Sequence, residues 1–174
     1  IALNYATEFL KDICPEKVNF FYDHELHHDC PEILLPKSGP SAGVVIFLCA
    51  ISLAMNKPII PHLAMTGEIC IDGSVLKIGG VKEKSQGAQQ FGIKTLVVPI
   101  GNKFDFLELP SNLKDSFERV FFVENCKQVY KIGFNLDTTG IDCYIPQKYL
   151  GNIYEYIEEE EIYNDNLADR ILNI

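Results

Sequence analysis

A chain of 174 residues, 47% of them hydrophobic, can bury one sizeable core, so a single domain is expected. The net charge of −9 comes without any basic stripe, which argues against nucleic acid as a partner of this piece. The longest apolar stretch, residues 42–55, falls short of the ~20 residues that span a bilayer.

The first residue is isoleucine, and Glu8, Lys11 and Asp12 interrupt the opening apolar residues. No signal peptide is therefore expected, and the chain reads as a piece of a longer protein. The six cysteines (14, 30, 49, 70, 126 and 143) include no C-x-x-C pair. Cys49 and Cys70 fall in apolar segments and read as small hydrophobes, which points to a reducing intracellular compartment. Charge is concentrated at the end: residues 151–174 hold seven acids against Arg170 and read as a solvated helix or a disordered tail.

In chain order, residues 2–13 place Ala2, Tyr5, Ala6, Phe9, Leu10 and Ile13 at helical spacing and predict an amphipathic helix. Residues 17–21 read as a strand, and 24–30 as a weaker one. Residues 31–40, with three prolines, form a loop that delivers the chain to Ser41. Residues 44–51 read as a buried helix. Residues 62–71 read as a strand, with Asp72-Gly73 as the turn of a hairpin whose second arm is 74–78. Gly79-Gly80 ends the hairpin, and a helix follows over 81–91. Residues 95–99 and 119–123 predict short buried strands, with helices near 103–109 and over 124–132. Residues 137–151 read as irregular. Mixed helices and short strands with an antiparallel hairpin make the class α+β.

The segment Gly39-Pro40-Ser41-Ala42-Gly43 holds a serine among small residues at the start of an apolar helix. Such a serine suits two roles. It is a preferred helix N-cap. It also suits a nucleophile, because small neighbours leave a substrate carbonyl free to approach, and a helix N-terminus favours a developing negative charge.

The partners of Ser41 narrow the choice of chemistry. Gly-x-Ser-x-Gly matches the nucleophile elbow of α/β-hydrolases, but that arrangement needs a strand before the serine, then an acid, then a histidine. Here a proline-rich loop precedes Ser41, and the one later histidine, His62, has no acid between it and the serine. His27, His28 and Asp29 precede Ser41, but adjacent residues on one short segment do not place the acid on the far side of the imidazole ring. The remaining way to activate the serine is a lysine. Of Lys77, Lys82 and Lys84, helical phasing from Val81 through Ala88 and Phe91 puts Lys84 on the core-facing side. A lysine among apolar neighbours loses hydration and is pushed toward its neutral, basic form. A lysine snorkelling from the helix edge is the alternative.

Three ordered blocks carry a resemblance: Pro36-Lys37-Ser38-Gly39-Pro40-Ser41-Ala42-Gly43, Leu63-Ala64-Met65-Thr66-Gly67-Glu68, and Ile78-Gly79-Gly80-Val81-Lys82-Glu83-Lys84. Together they resemble the proteolytic domain of Lon proteases, over about residues 2–134. The resemblance implies a single α+β Lon-type proteolytic domain over 1–134, lacking the usual opening strands, with 135–174 as a C-terminal extension. It implies a serine–lysine dyad in which Ser41 is the nucleophile and Lys84 the general base. Thr66 matches a threonine that helps orient the lysine; a strand threonine satisfied locally is the alternative.

The implied function is hydrolysis of peptide bonds in unfolded or damaged polypeptides by the serine endopeptidase end of an ATP-dependent protease. A catalytically silent assembly or peptide-binding module is the alternative. No metal or cofactor is implied for this domain. ATP and magnesium belong to an unfolding module outside it, since no G-x-x-x-x-G-K-[ST] occurs here. The implied assembly is a homo-hexamer, with no membrane association, and the implied location is the mitochondrial matrix. The chain departs from the family pattern at Ser38 (usually aspartate), Lys77 (often proline) and Asp29 (often histidine), and Glu32-Ile33-Leu34-Leu35-Pro36 replaces a smaller, glycine-containing approach. Lys77 either adds positive charge beside Lys84 or points into solvent. These departures bear on how open the loop before Ser41 is and on whether His27 keeps a supporting role.

Overall fold

A computed structural model of the chain describes residues 1–27 and 39–150. A four-stranded sheet lies between two groups of helices. The strands are β1 (Leu63–Met65), β2 (Glu68–Ile69), β3 (Val75–Leu76), β4 (Thr95–Pro99), β5 (Arg119–Val123) and β6 (Asp142–Tyr144). The helices are α1 (Ala2–Ile13), α2 (Phe20–Asp23), α3 (Gly43–Met55), α4 (Val81–Gln90), α5 (Lys103–Leu107), α6 (Ser111–Lys114) and α7 (Cys126–Gly133). The main sheet runs β1-β4-β5-β6, with β1, β4 and β5 parallel and β6 antiparallel to β5. β2 and β3 form a separate antiparallel pair with Ile69 opposite Val75.

The central strands read Thr-Leu-Val-Val-Pro and Arg-Val-Phe-Phe-Val, nearly continuous apolar runs of the kind parallel strands need when both faces are covered. Side-chain alternation splits them. Val97, Phe121 and Val123 join a core with α1, α3 and α7. Leu96, Val98, Val120 and Phe122 join a second core with α4, α5 and α6. In the second core Phe106 sits 5.9 Å from Phe122, 6.3 Å from Phe117 and 5.8 Å from Tyr144, centroid to centroid, and its ring is fully buried.

The α+β expectation holds, and several elements match the sequence reading closely: α1, β4 and β5 fall at their predicted bounds. Other elements differ. Residues 17–21 form no strand; a 3₁₀ turn at Pro15–Lys17 and the short α2 occupy that region, because Phe20 and Phe21 pack on the first core from a helical turn. No strand is found over 24–27, and the rest of that expected strand lies outside the described residues. The predicted strand 62–71 breaks at Thr66-Gly67 into β1 and β2, which belong to different sheets. α3 is apolar all round but buried on one side only: Val44, Phe47, Leu48, Ile51 and Ala54 face the core, while Val45, Cys49 and Leu53 are exposed.

Within 137–151, read as irregular, Asp142–Tyr144 adds β6 to the sheet. The Tyr144 hydroxyl donates to Asp115, and Lys103 pairs with Asp142. Burial, followed by that hydrogen bond, pushes the Tyr144 phenol up to about 12. The acidic segment 151–174 lies outside the described residues. Among the described residues no helix is long and apolar enough to cross a membrane.

Phe106→Ala removes the ring that joins α5, β5 and β6, and is expected to cost about 3–5 kcal/mol in urea unfolding.

Candidate active site

Three elements meet at the C-terminal end of β1. Ser41 stands two residues ahead of α3, Thr66 is the first residue past β1, and Lys84 projects from the first turn of α4. All three line one pocket of about 340 Å³, together with Ala42, Met65 and Gly87. Parallel α/β sheets commonly present their binding groups at the carboxyl ends of their strands. A larger apolar groove of about 460 Å³, lined by Ile1, Leu26, Ile46, Cys49 and Leu53 among others, lies beside the start of α1 and the adjoining side of α3, which pack on each other through Phe9 and Phe47. Its lining includes Cys49 and His27, but no hydrogen bond joins them and burial raises the Cys49 thiol away from its reactive thiolate, so the smaller pocket is the candidate active site.

Backbone contacts hold Ser41 in place. Its carbonyl accepts the Gly67 N–H at 2.8 Å and the Thr66 hydroxyl at 3.3 Å. The Gly67 carbonyl in turn accepts the Val44 N–H at 3.2 Å. This reciprocal pairing needs two bare α-carbons. A Cβ on Gly43 would stand 3.1 Å from the Ile69 nitrogen, and one on Gly67 would stand 2.7 Å from Val75 Cγ1. Gly43, two residues after the serine, and Gly67, directly after the threonine, are therefore two sides of one close contact.

Ser41 does not cap its helix. The N-cap residue is Ala42, and no side-chain cap bond is made there. The N–H groups of Gly43 and Val44 go instead to the Pro40 and Gly67 carbonyls, and the Ala42 carbonyl accepts from Val45 and Ile46. Among the described residues the Ser41 hydroxyl has no hydrogen-bond partner, and neither do the Ser41 and Ala42 N–H groups. Ser41 itself is half-buried.

The buried stripe of α4 consists of Val81, Ser85 and Ala88; Lys84 and Phe91 are exposed. The phasing expected for Lys84 and Phe91 is thus shifted. The buried face includes the four-residue step to Ser85 as well as the seven-residue step to Ala88, and this moves Lys84 to the edge of the face. That edge is the one bordering the pocket. Lys84 Nζ folds back over the start of its helix, where a Cβ on Gly80 would stand 3.8 Å away. Gly80 is in the left-handed region at φ +72°, and its carbonyl accepts the Lys84 N–H at 3.0 Å. Among the described residues Lys84 has no ion-pair partner.

Thr66 is 7% exposed, and its N–H donates to the Val97 carbonyl at 3.0 Å, tying the loop after β1 to β4. Its hydroxyl hydrogen goes to the Ser41 carbonyl, which leaves the oxygen's lone pairs as acceptors in a residue that lines the pocket with Lys84. Lys77 is paired with Asp105 at 3.0 Å, so its charge is matched away from Lys84. The Asn102 amide and then Lys77 hold the Asp105 carboxyl below its ordinary range. His27 is exposed and borders the larger groove, not this pocket. Ser38 and Asp29 lie outside the described residues. Sequence reasoning did not single out Asn102, a buried polar residue between two apolar segments that meets the chain leading into α4. Its one sequence signal is an asparagine following Ile100-Gly101 where the second core continues.

A family model for the Lon protease (S16) C-terminal proteolytic domain matches residues 1–135. The chain is 44% identical over 140 residues to the mitochondrial Lon protease homolog of Phaeodactylum tricornutum, covering 80% of this chain and 16% of that protein. It is 44% identical over 135 residues to the mitochondrial Lon protease homolog of Drosophila melanogaster, covering 77% and 13%. Lon protease 1 of Borreliella burgdorferi is 41% identical over 134 residues, covering 77% and 16%. The chain thus spans only a small part of the length of these relatives.

Two outcomes test this geometry. Gly67→Ala forces a Cβ against Val75 and Val44, and is expected to lower stability by about 1–3 kcal/mol in denaturant titration. Because folding lowers the Asp105 pKa, its contribution to stability is present above the unfolded value of about 4 and is lost as pH falls through the folded value. Asp105→Asn is therefore expected to flatten the decline of the unfolding midpoint below about pH 4.

Proposed function

The chain belongs to the Lon protease C-terminal proteolytic domain family, and on that footing we propose that it is a serine endopeptidase with Ser41 as nucleophile and Lys84 as general base. The observation that carries this reading is the convergence of Ser41, Thr66 and Lys84 from three separate elements on one pocket. The silent-module alternative is not favoured, since a scaffold has no chemical need for a serine spared from capping that shares a pocket with a lysine lacking, among the described residues, an ion-pair partner.

In the proposed reaction the neutral Lys84 amine takes the Ser41 proton as Oγ attacks the peptide carbonyl carbon. The Ser41 and Ala42 N–H groups hold the resulting oxyanion, because those of Gly43 and Val44 are already committed. The lysine ammonium then gives its proton to the departing amine, and water hydrolyses the acyl-enzyme. The Thr66 oxygen orients the lysine amine by accepting one of its hydrogens. Ser41 Oγ and Lys84 Nζ share the pocket without a hydrogen bond between them, an arrangement common in free enzymes whose contacts tighten on substrate binding.

The larger setting is proposed by analogy with the family. In this reading residues 1–134 form the proteolytic domain and 135–174 an extension. The substrates are unfolded or damaged polypeptides delivered by an ATP- and magnesium-dependent module elsewhere in the protein, and the assembly is a homo-hexamer. Two of the three relatives described above carry a mitochondrial name, which supports the mitochondrial matrix as the location.

A peptide boronate or fluorophosphonate is expected to label Ser41 in the full-length protein. Ser41→Ala should abolish labelling, and Lys84→Ala should slow it by about 10²–10⁴-fold. Wild-type labelling rates in Lys84→Ala would sink the dyad.

A further inference from the structure

Asn102 ends the 3₁₀ turn Ile100–Asn102 and is 0% exposed. Its Oδ1 accepts the Ile78 N–H at 2.9 Å, and its Nδ2 donates to the Ile78 carbonyl at 2.8 Å. The other Nδ2 hydrogen reaches Asp105 Oδ2 at 2.7 Å, and Asp105 also accepts from Lys77. A single side-chain amide thus does for Ile78 what a neighbouring strand would do, satisfying both of its backbone groups. The Asp105 carboxylate fixes which way round that amide sits.

Ile78 lies two residues beyond β3 and two before Gly80. The intervening turn has little to hold it: a Cβ on Gly79 would meet nothing within 4 Å, and Gly80 occupies the left-handed region. Two consecutive glycines are a loose tether unless the chain on either side is fixed. On one side the buried stripe of α4 fixes it; on the other, Asn102 does. The Gly80 carbonyl receives the Lys84 N–H, and Lys84 Nζ lies over the same residue, so the direction of this turn sets the position of the amine.

We infer that Asn102 is a positioning residue for Lys84: its amide clamps Ile78 and thereby sets the Gly79-Gly80 turn from which α4 presents the amine to Ser41. This rests on the Ser41–Lys84 reading proposed above. Its effect is on the placement of the base rather than on substrate binding, so it belongs in kcat rather than KM.

The experiment measures turnover of an activated peptide ester by the full-length protein, since a good leaving group keeps rates measurable without the base. Asn102→Ala and Asp105→Ala are each compared in the wild-type and Lys84→Ala backgrounds, alongside the unfolding midpoint. Asn102→Ala is expected to lower kcat by roughly 10²-fold with KM within about twofold, the scale of loss from a small misplacement of a reacting group. In the Lys84→Ala background it is expected to cost nothing more, because the group it places is gone. If Asn102→Ala does not fold, Asp105→Ala carries the test: its side chain is 41% exposed, and the same non-additive loss is expected at roughly tenfold. Equal losses in both backgrounds, or wild-type kcat in both variants, would overturn the positioning role while leaving the dyad standing. An unaffected Lys84→Ala would overturn the dyad and the positioning role together.

Discussion

The reciprocal backbone contact between Ser41 and Gly67 governs the arrangement of this domain. The chain entering α3 and the chain leaving β1 approach so closely that neither Gly43 nor Gly67 has room for a side chain. The Ser41 carbonyl and the Val44 N–H are satisfied by the same residue, Gly67. That contact locks the serine to the end of a sheet strand and leaves its hydroxyl free of capping duty. It also breaks the strand after Met65, sending Glu68 and Ile69 into a separate hairpin.

Once β1 ends there, the rest of the site follows from how the sheet is covered. Parallel β1 and β4 need a crossover between them, and the residues that supply it include the β2–β3 hairpin and α4. α4 packs on the face of the sheet that carries Leu96 and Val98, with Val81, Ser85 and Ala88 turned inward. Lys84 stands at the border of that buried stripe. An amine there is anchored by its helix yet remains in a pocket that opens toward Ser41. Thr66, fixed to β4 through its N–H and to Ser41 through its hydroxyl, lines the same pocket.

Much of this was legible in the chain itself, unevenly and for physical reasons. α1, β4 and β5 fall at their expected bounds because each carries an uninterrupted period or an apolar run bounded by polar residues. The strand expected at 17–21 failed because Phe20 and Phe21 reach the first core from a helical turn, and a short apolar run fits either conformation. β6 went unread because three residues, Asp142, Cys143 and Tyr144, carry no period at all; their pairing with β5 is a tertiary event. The phase of Lys84 was misjudged because the exposed Phe91 was counted in the apolar face in place of the buried Ser85.

The sequence by itself determined the chemistry on offer: a serine among small residues, no acid and histidine in a workable order, and a lysine at a fixed interval in three ordered blocks. It also determined the α+β class, through the periodicity of its elements. Only the tertiary structure decided that Ser41 is not a helix cap, that Lys77 is matched by Asp105, and that Asn102 holds the approach to α4. Each of these depends on residues 24 to 28 positions apart being brought within hydrogen-bond or ion-pair distance. Periodicity reports which face of an element is apolar. Which polar group on another element meets it is settled by how the elements pack.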